Sequence, residues 1–213
     1  MIIRPQYLNA LRSYRNIPIV KILAGIRRCG KSTILDMLKN DLLSSGINKE
    51  QIIDRRYTSL SLDEGMDARS MYDDIKSIMT TDDMYYLLLD EVQEIPGWEK
   101  AVNSLSEDCK VDIYVTGSNS KLMSGEISTY LTGRYVLIPV YPLSFEEYLD
   151  FKNADHVEAK RLLPEYIRFG GFPIVARGDY DERSAYQIVE VIYNSVITSD
   201  ITKRHNIKDF DLF

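Results

Sequence analysis

The apolar run PIVKILA at residues 18–24 stops at Gly25, and from Lys31 the apolar residues resume at helical spacing through Ile34, Leu35, Leu38 and Leu42 as far as Gly46. The stretch between them reads Gly25, Ile26, Arg27, Arg28, Cys29, Gly30, Lys31, Ser32 and fits G-x-x-x-x-G-K-[ST] at every specified position. Such a match arises by chance in roughly one chain of this length in a hundred. Its context narrows the fold further, because a buried strand, a glycine-bounded loop and a helix follow in that order. The glycines let the backbone curl into a nest of N–H donors, and the helix N-terminus adds partial positive charge, so the segment suits a chain of phosphates. In that reading Lys31 reaches the β- and γ-phosphates and the Ser32 hydroxyl ligates Mg²⁺. Gly25, Arg27, Arg28, Cys29, Gly30 and Thr33 complete the candidate nucleotide-binding set.

The rest of the chain repeats the strand-then-helix alternation. YTSLSL at 57–62 reads as a weaker strand, and a helix is expected at 68–79 with Met71, Tyr72, Ile75 and Ile78 on one face. MYYLLLDE at 84–91 is apolar without alternation, as suits a strand buried on both faces of a parallel sheet. A helix at 98–107, a strand at 111–116, a helix at 120–131 and a strand at 134–140 follow. Five strands alternating with helices imply an α/β fold with right-handed crossovers and helices on both faces. From Ser144 onward helices dominate, near 145–151, 158–169 and 182–203. The change of pattern near Pro142 divides the chain into a core at 1–142 and a helical lid or connector at 143–213.

Two further strand ends carry chemistry. YYLLL ends in Asp90 and Glu91, where the first carboxylate can hold a metal's hydration shell and the second can orient and activate a water. An acidic pair ending a strand is weak taken alone, and gains weight from lying about sixty residues after a phosphate loop. Strand 111–116 ends in Thr116, Gly117, Ser118 and Asn119, which can hydrogen-bond the attacking water or simply cap a turn. Arg134, after Gly133, can act as a guanidinium on a phosphate of its own or a neighbouring subunit, or form a surface ion pair. Cys29, in an electropositive loop, reads as a small packing residue, with a reactive thiol as the alternative, and Trp98, after Pro96 and Gly97, reads as a staple at a helix start. Phe169, Gly170, Gly171, Phe172 and Pro173 read as a helix stop and tight turn, with an interface or substrate loop as the alternative.

Composition excludes several classes. Its longest uncharged stretch, Tyr135–Phe145, has 11 residues including two prolines, well short of the roughly 20 that span a bilayer. No secretory leader is expected from Met1, Ile2, Ile3, Arg4 and Pro5, and two cysteines make neither a disulfide framework nor a zinc site, so a reducing cytoplasm is the expected setting. The net charge of −6 does not suggest general nucleic-acid binding. It is unevenly spread, however: residues 1–31 hold seven bases and no acid, and residues 63–108 hold thirteen acids and three bases. A dinucleotide-binding reading is disfavoured because no G-x-G-x-x-G occurs. A GTPase is disfavoured because Asn48 and Lys49 are followed by Glu50 and Gln51 rather than completing N-K-x-D.

With GIRRCGKST, YYLLLDEVQEIPGWEKAV, YVTGSNSKLMS, YLTGRYVLIPVYPLSFEEYL and YIRFGGFPIVA in place, the chain resembles the prokaryotic AAA-type ATPases of the archaeal-ATPase-like group over most of residues 17–177. The resemblance implies a P-loop NTPase three-layer sandwich, a five-stranded parallel sheet in the order 5-1-4-3-2 and a helical C-terminal extension. It implies Asp90 and Glu91 in the Walker B role, Asn119 as sensor one, Arg134 as an arginine-finger candidate, and ATP as the nucleotide. Members of the group carry a second, C-terminal domain of unknown function, which would follow about where Phe213 stands. The expected function is Mg²⁺-dependent ATP hydrolysis that moves an attached or partner module, with a homo-oligomer and a protein or DNA partner as candidate associates. The alternatives are a nucleotide-binding switch or docking module with negligible turnover, and a small-molecule kinase.

Overall fold

The computed structural model describes residues 2–58, 65–118, 130–155 and 157–196. Two compact units share the chain: Pro5–Ala24 with Lys31–Pro139 form a sheet unit, and Met1–Arg4, Gly25–Gly30 and Val140–Phe213 form a mainly helical one.

In the sheet unit, strands β1 (Val20–Ala24), β2 (Ile52–Arg56), β3 (Tyr85–Asp90), β4 (Val111–Gly117) and β5 (Tyr135–Pro139) pair in the order β2-β3-β4-β1-β5, all parallel. That is the expected 5-1-4-3-2 order read from the other edge. Every residue of β1 and β3 is buried, which is why their sequences lack polar alternation. Helices α1 (Pro5–Ser13), α2 (Lys31–Ser44), α3 (Ala68–Ile78) and α4 (Trp98–Asp108) cover the sheet. Val20, Ile22, Leu87, Leu89, Ile113 and Val115 meet Met71 and Ile75 of α3 and Trp98, Val102 and Leu105 of α4 in one core cluster. Alternation sends Lys21, Leu23, Leu88 and Tyr114 to the other face. There α2 packs on β3 and β4, and α1 packs on α2.

β2 differs from expectation. It is IIDRR at Ile52–Arg56, whereas Tyr57 and Thr58 follow it in a turn and residues 59–64 lie outside the described residues. Three charged residues in five mask the strand, yet Ile52 and Ile53 are buried and each charge is paired at the sheet edge. Lys39 bonds Asp54, Arg55 bonds Asp74 and Arg56 bonds Asp36. Helix α1 was not expected either; Tyr7, Leu8 and Leu11 give it one buried stripe. The helix expected at 120–131 lies almost wholly outside the described residues, as does the end of the helix expected at 182–203.

A buried polar cluster ties the starts of β1 and β4 together. Lys21 Nζ, with no exposure, lies 2.5 Å from Asp112 Oδ1 and 2.6 Å from the Ile17 carbonyl. The second Asp112 oxygen accepts from the Asn16 backbone N–H and the Tyr114 hydroxyl. Burial pushes the Lys21 ammonium below the ordinary lysine range against the pull of Asp112, and pushes the Tyr114 phenol up.

The helical unit contains α5 (Phe145–Lys152), α6 (Ala159–Phe169), α7 (Pro173–Arg177) and α8 (Glu182–Val196). Ser144 caps α5 reciprocally with Glu147: its Oγ accepts the Glu147 N–H, and Glu147 Oε2 accepts the Ser144 N–H. Leu143, Tyr148, Leu149, Phe151, Leu162 and Ala176 form its core. The two central glycines of Phe169–Pro173 have separate duties. Gly170 ends α6 at φ 75°, ψ −177°, a conformation open essentially to glycine alone. A Cβ on Gly171 would stand 2.1 Å from the Leu143 carbonyl oxygen, and the Gly171 carbonyl accepts the Leu143 N–H at 2.6 Å. The expected helix stop is there, and Pro173 then opens the short α7 instead of closing a simple turn. Among the described residues no helix is long and apolar enough to cross a membrane.

The Lys21 cluster makes a stability prediction. Lys21→Met should cost about 3–5 kcal/mol, because Asp112 keeps a buried charge that has lost its counter-ion. Lys21→Met combined with Asp112→Asn should cost clearly less, since the amide is neutral and still accepts. Urea denaturation of the two variants checks this; equal losses would mean that charge compensation is not what the cluster supplies.

Candidate nucleotide site

Parallel pairing puts the C-terminal ends of all five strands on one edge, where ligands of open α/β sheets bind. β1 ends there at Ala24, in register with Gly117 of β4, and Leu89 of β3 is in register with Val115. One residue further, Asp90 stands level with Thr116. Both are buried, and the Thr116 hydroxyl donates to Asp90 Oδ1 at 2.5 Å. The Thr116 hydroxyl oxygen in turn accepts the Glu91 N–H at 2.9 Å, so one threonine aligns both acidic residues.

Glu91 itself adopts the left-handed conformation, φ 56°, ψ 46°, between β3 and the 3-10 turn Val92–Glu94. That conformation is costly for a residue with a Cβ and recurs at functional positions. Val92 and Ile95 anchor the turn in the core, and Gln93 Nε2 donates to Glu91 Oε2. Glu91 Oε1 lies 3.5 Å from Nζ of Lys31, the first residue of α2, whose side chain is 3% exposed. Thus Lys31, Asp90, Glu91 and Thr116 come together. Ser32 is half-buried at the second position of α2, and Thr33 is exposed.

The loop itself, Gly25–Gly30, belongs to the helical unit and joins β1 to α2 along the chain. A Cβ on Gly25 would stand 2.2 Å from the Val140 carbonyl oxygen and 2.8 Å from Cys29 Sγ, so the first motif glycine is needed for close packing. Arg28 and Gly30 take positive φ, 65° and 103°, curling the loop. Arg27 and Arg28 are exposed; Cys29 is fully buried and free of any disulfide, as the packing role requires.

Two expected residues stand apart. Arg134 precedes β5, and its carbonyl accepts the N–H of Val20, the first residue of β1. It therefore lies at the N-terminal edge of the sheet, about five residues or roughly 16 Å along the strand from Ala24. Its half-exposed guanidinium bonds Glu107 at 2.7 Å. Asn119 lies outside the described residues, while Ser118 before it is buried. Two residues have no role assigned from the sequence: Gln93, which lies in the YYLLLDEVQEIPGWEKAV stretch and holds Glu91, and Arg4, one of the seven N-terminal bases, which is buried against the loop.

Comparison with known proteins agrees with this geometry. Residues 18–149 match the model of a family described as an AAA domain. The chain belongs to that AAA family. It is 38% identical over 212 residues to an uncharacterized protein of Haemophilus influenzae, covering 98% of the chain and 52% of that relative. It is 31% identical over 199 residues to the uncharacterized protein MJ1544 of Methanocaldococcus jannaschii, covering 89% of the chain and 43% of the relative. The chain thus spans about half the length of these relatives. In fold it is similar to the Walker-type ATPase PABY2304 of Pyrococcus abyssi, with a TM-score of 0.60 at 16% identity over 97% of this chain and 76% of that one. An AAA-type P-loop fold supports nucleotide binding.

The threonine bridge is testable in this AAA domain. Thr116→Val should lower stability by about 1–3 kcal/mol, leaving the half-buried Glu91 N–H and the buried Asp90 Oδ1 without their common partner. Thr116→Ser should recover most of the loss. Chemical denaturation of both variants reads the difference.

Proposed function

We propose that this AAA domain binds Mg²⁺-ATP through the Gly25–Thr33 segment and hydrolyses it with Glu91 as the base that activates water. The observation that carries the reading is the Lys31–Glu91–Asp90–Thr116 cluster at the C-terminal strand edge, with Lys31 directly following in the chain a loop sequence that fits phosphates. Lys31, whose Nζ lies 3.5 Å from Glu91 Oε1, balances phosphate charge through a charge-assisted contact. Glu91, strained and aimed by Gln93, accepts the proton of the attacking water. The donor set also suits the metal. The Ser32 hydroxyl and the Asp90 carboxylate are hard oxygen ligands, and Mg²⁺ characteristically takes one or two such protein groups alongside substrate phosphates. When bound, Mg²⁺ would neutralise charge developing on the phosphoryl oxygens. Asn119 retains the proposed part of holding the water from the end of β4.

Arg134 fits an arginine finger only across a subunit boundary, since its own sheet holds it at the opposite edge from Lys31. The helical part from residue 143 would act as lid or connector, passing the nucleotide state to an attached module or to a protein or DNA partner. With only two cysteines in the sequence, a reducing cytoplasm is the proposed setting. A switch or docking module with negligible turnover is the second reading, and steady-state phosphate release separates it from an ATPase.

Lys31→Ala should weaken ATP binding roughly 10- to 100-fold, as expected for one lost charge-assisted contact of about 1.5–3 kcal/mol. Glu91→Gln should bind MgATP like the parent and lose at least tenfold in turnover; calorimetry and phosphate release give the two numbers. Unchanged affinity in the first variant would remove the phosphate-loop assignment. For Arg134→Ala, turnover should fall while ATP affinity holds, and the parent's specific activity should rise with protein concentration. Full turnover by that variant would leave Arg134 as a surface ion pair with Glu107.

A further inference from the structure

Arg4 lies far from every sequence motif, three residues from the start of the chain, yet it is 4% exposed and makes a forked set of contacts inside the helical unit. Its Nε and Nη2 hold Glu147 at 2.7 and 3.0 Å, one nitrogen on each carboxylate oxygen. Nη2 also donates to the Tyr141 carbonyl at 3.0 Å, and Nη1 to the Cys29 carbonyl at 3.1 Å. One guanidinium thus joins the phosphate loop, the segment entering α5 and the third residue of α5. Glu147 is itself fixed by the Ser144 cap, so the fork rests on a rigid helix start.

The contact with Cys29 has a directional consequence. The Cys29–Gly30 peptide is trans, so its carbonyl and the Gly30 N–H point to opposite sides of one plane. Holding the carbonyl toward Arg4 turns the Gly30 N–H away from Arg4. Gly30 sits at φ 103°, and an added Cβ there would come 3.7 Å from Pro173 Cγ and 3.9 Å from Arg4 Nη1, so arginine and proline both back the loop from one side. A cation on the carbonyl also polarises the peptide and strengthens its N–H as a donor.

We propose that Arg4 is a positioning residue for phosphate binding, locking the Cys29–Gly30 peptide so that the Gly30 N–H is presented to the nucleotide phosphates, with Glu147 as the anchor of that lock. This deepens the ATP reading above and rests on it. Arg4 touches no phosphate itself. Its effect is pre-organisation: without the fork the peptide can rotate, and the loop must be ordered at the expense of binding. The same link couples the nucleotide to α5, because whatever tightens the loop tightens Arg4 on Glu147.

The test is a MgATP titration by calorimetry on the full chain, with thermal melting of every variant. Arg4→Met combined with Glu147→Gln removes both charges together, which avoids an orphaned buried ion, and the glutamine still accepts the Ser144 N–H. The double variant should melt within a few degrees of the parent and bind MgATP at least tenfold more weakly. Arg4→Lys, which keeps the charge on Glu147 but cannot also span to Tyr141 and Cys29, should fall between the two. Parent-like affinity in a folded double variant overturns the proposal while leaving the phosphate-loop reading intact. A lowered melting temperature with affinity unchanged marks a structural role only and overturns it equally. Should the double variant fail to fold, Arg4→Lys decides: parent-like affinity refutes the lock and weakened binding supports it. No binding of MgATP by the parent chain overturns both readings.

Discussion

Parallel strand pairing is the constraint from which the site follows. A strand paired in parallel has to return to its starting edge before the next begins, so every C-terminal end falls on one side and every N-terminal end on the other. Ala24, Asp90 and Thr116 are separated by long stretches of chain, yet the register of β1 with β4 and of β4 with β3 brings them level. Neighbouring strands lie about 4.8 Å apart, so the phosphate-loop strand and the carboxylate strand are about 10 Å apart with only β4 between them. The apolar runs that bury β1 and β3 therefore position the polar residues that end them.

The two edges of the sheet treat charge differently. At the N-terminal edge, Lys21 and Asp112 are fully buried, 2.5 Å apart, and flanked by further hydrogen bonds. Such a pair is already compensated. At the C-terminal edge, Lys31 and Glu91 are a full ångström further apart, at 3.5 Å. Coulomb attraction falls with distance, so the direct attraction within this pair is the weaker of the two.

Much of this was legible in the sequence, and the misses have physical causes. β1, β3 and β4 were plain because central parallel strands are mostly apolar, Lys21 and Asp112 being a mutually paired exception, and the loop was plain because its glycines, lysine and serine each have a backbone or charge reason to be there. β2 was missed because an edge strand tolerates Asp54, Arg55 and Arg56, whose partners Lys39, Asp74 and Asp36 come from helices and cannot be read from the strand itself. Arg4 was only one of seven bases near the N-terminus, and its partners lie 25 to 143 residues away, a separation that carries no periodicity. Arg134 stands one residue before β5 rather than in it, and its edge of the sheet becomes meaningful only once the direction of β5 beside β1 is known.

The left-handed backbone at Glu91 sets a limit on how this domain can drift over generations. Glycine would relieve about 1 kcal/mol or more of local strain there, and asparagine or aspartate part of it. Selection acting on folding alone would thus move the position toward a residue without a long carboxylate. Libraries sorted only for thermal tolerance would therefore be expected to replace Glu91 early.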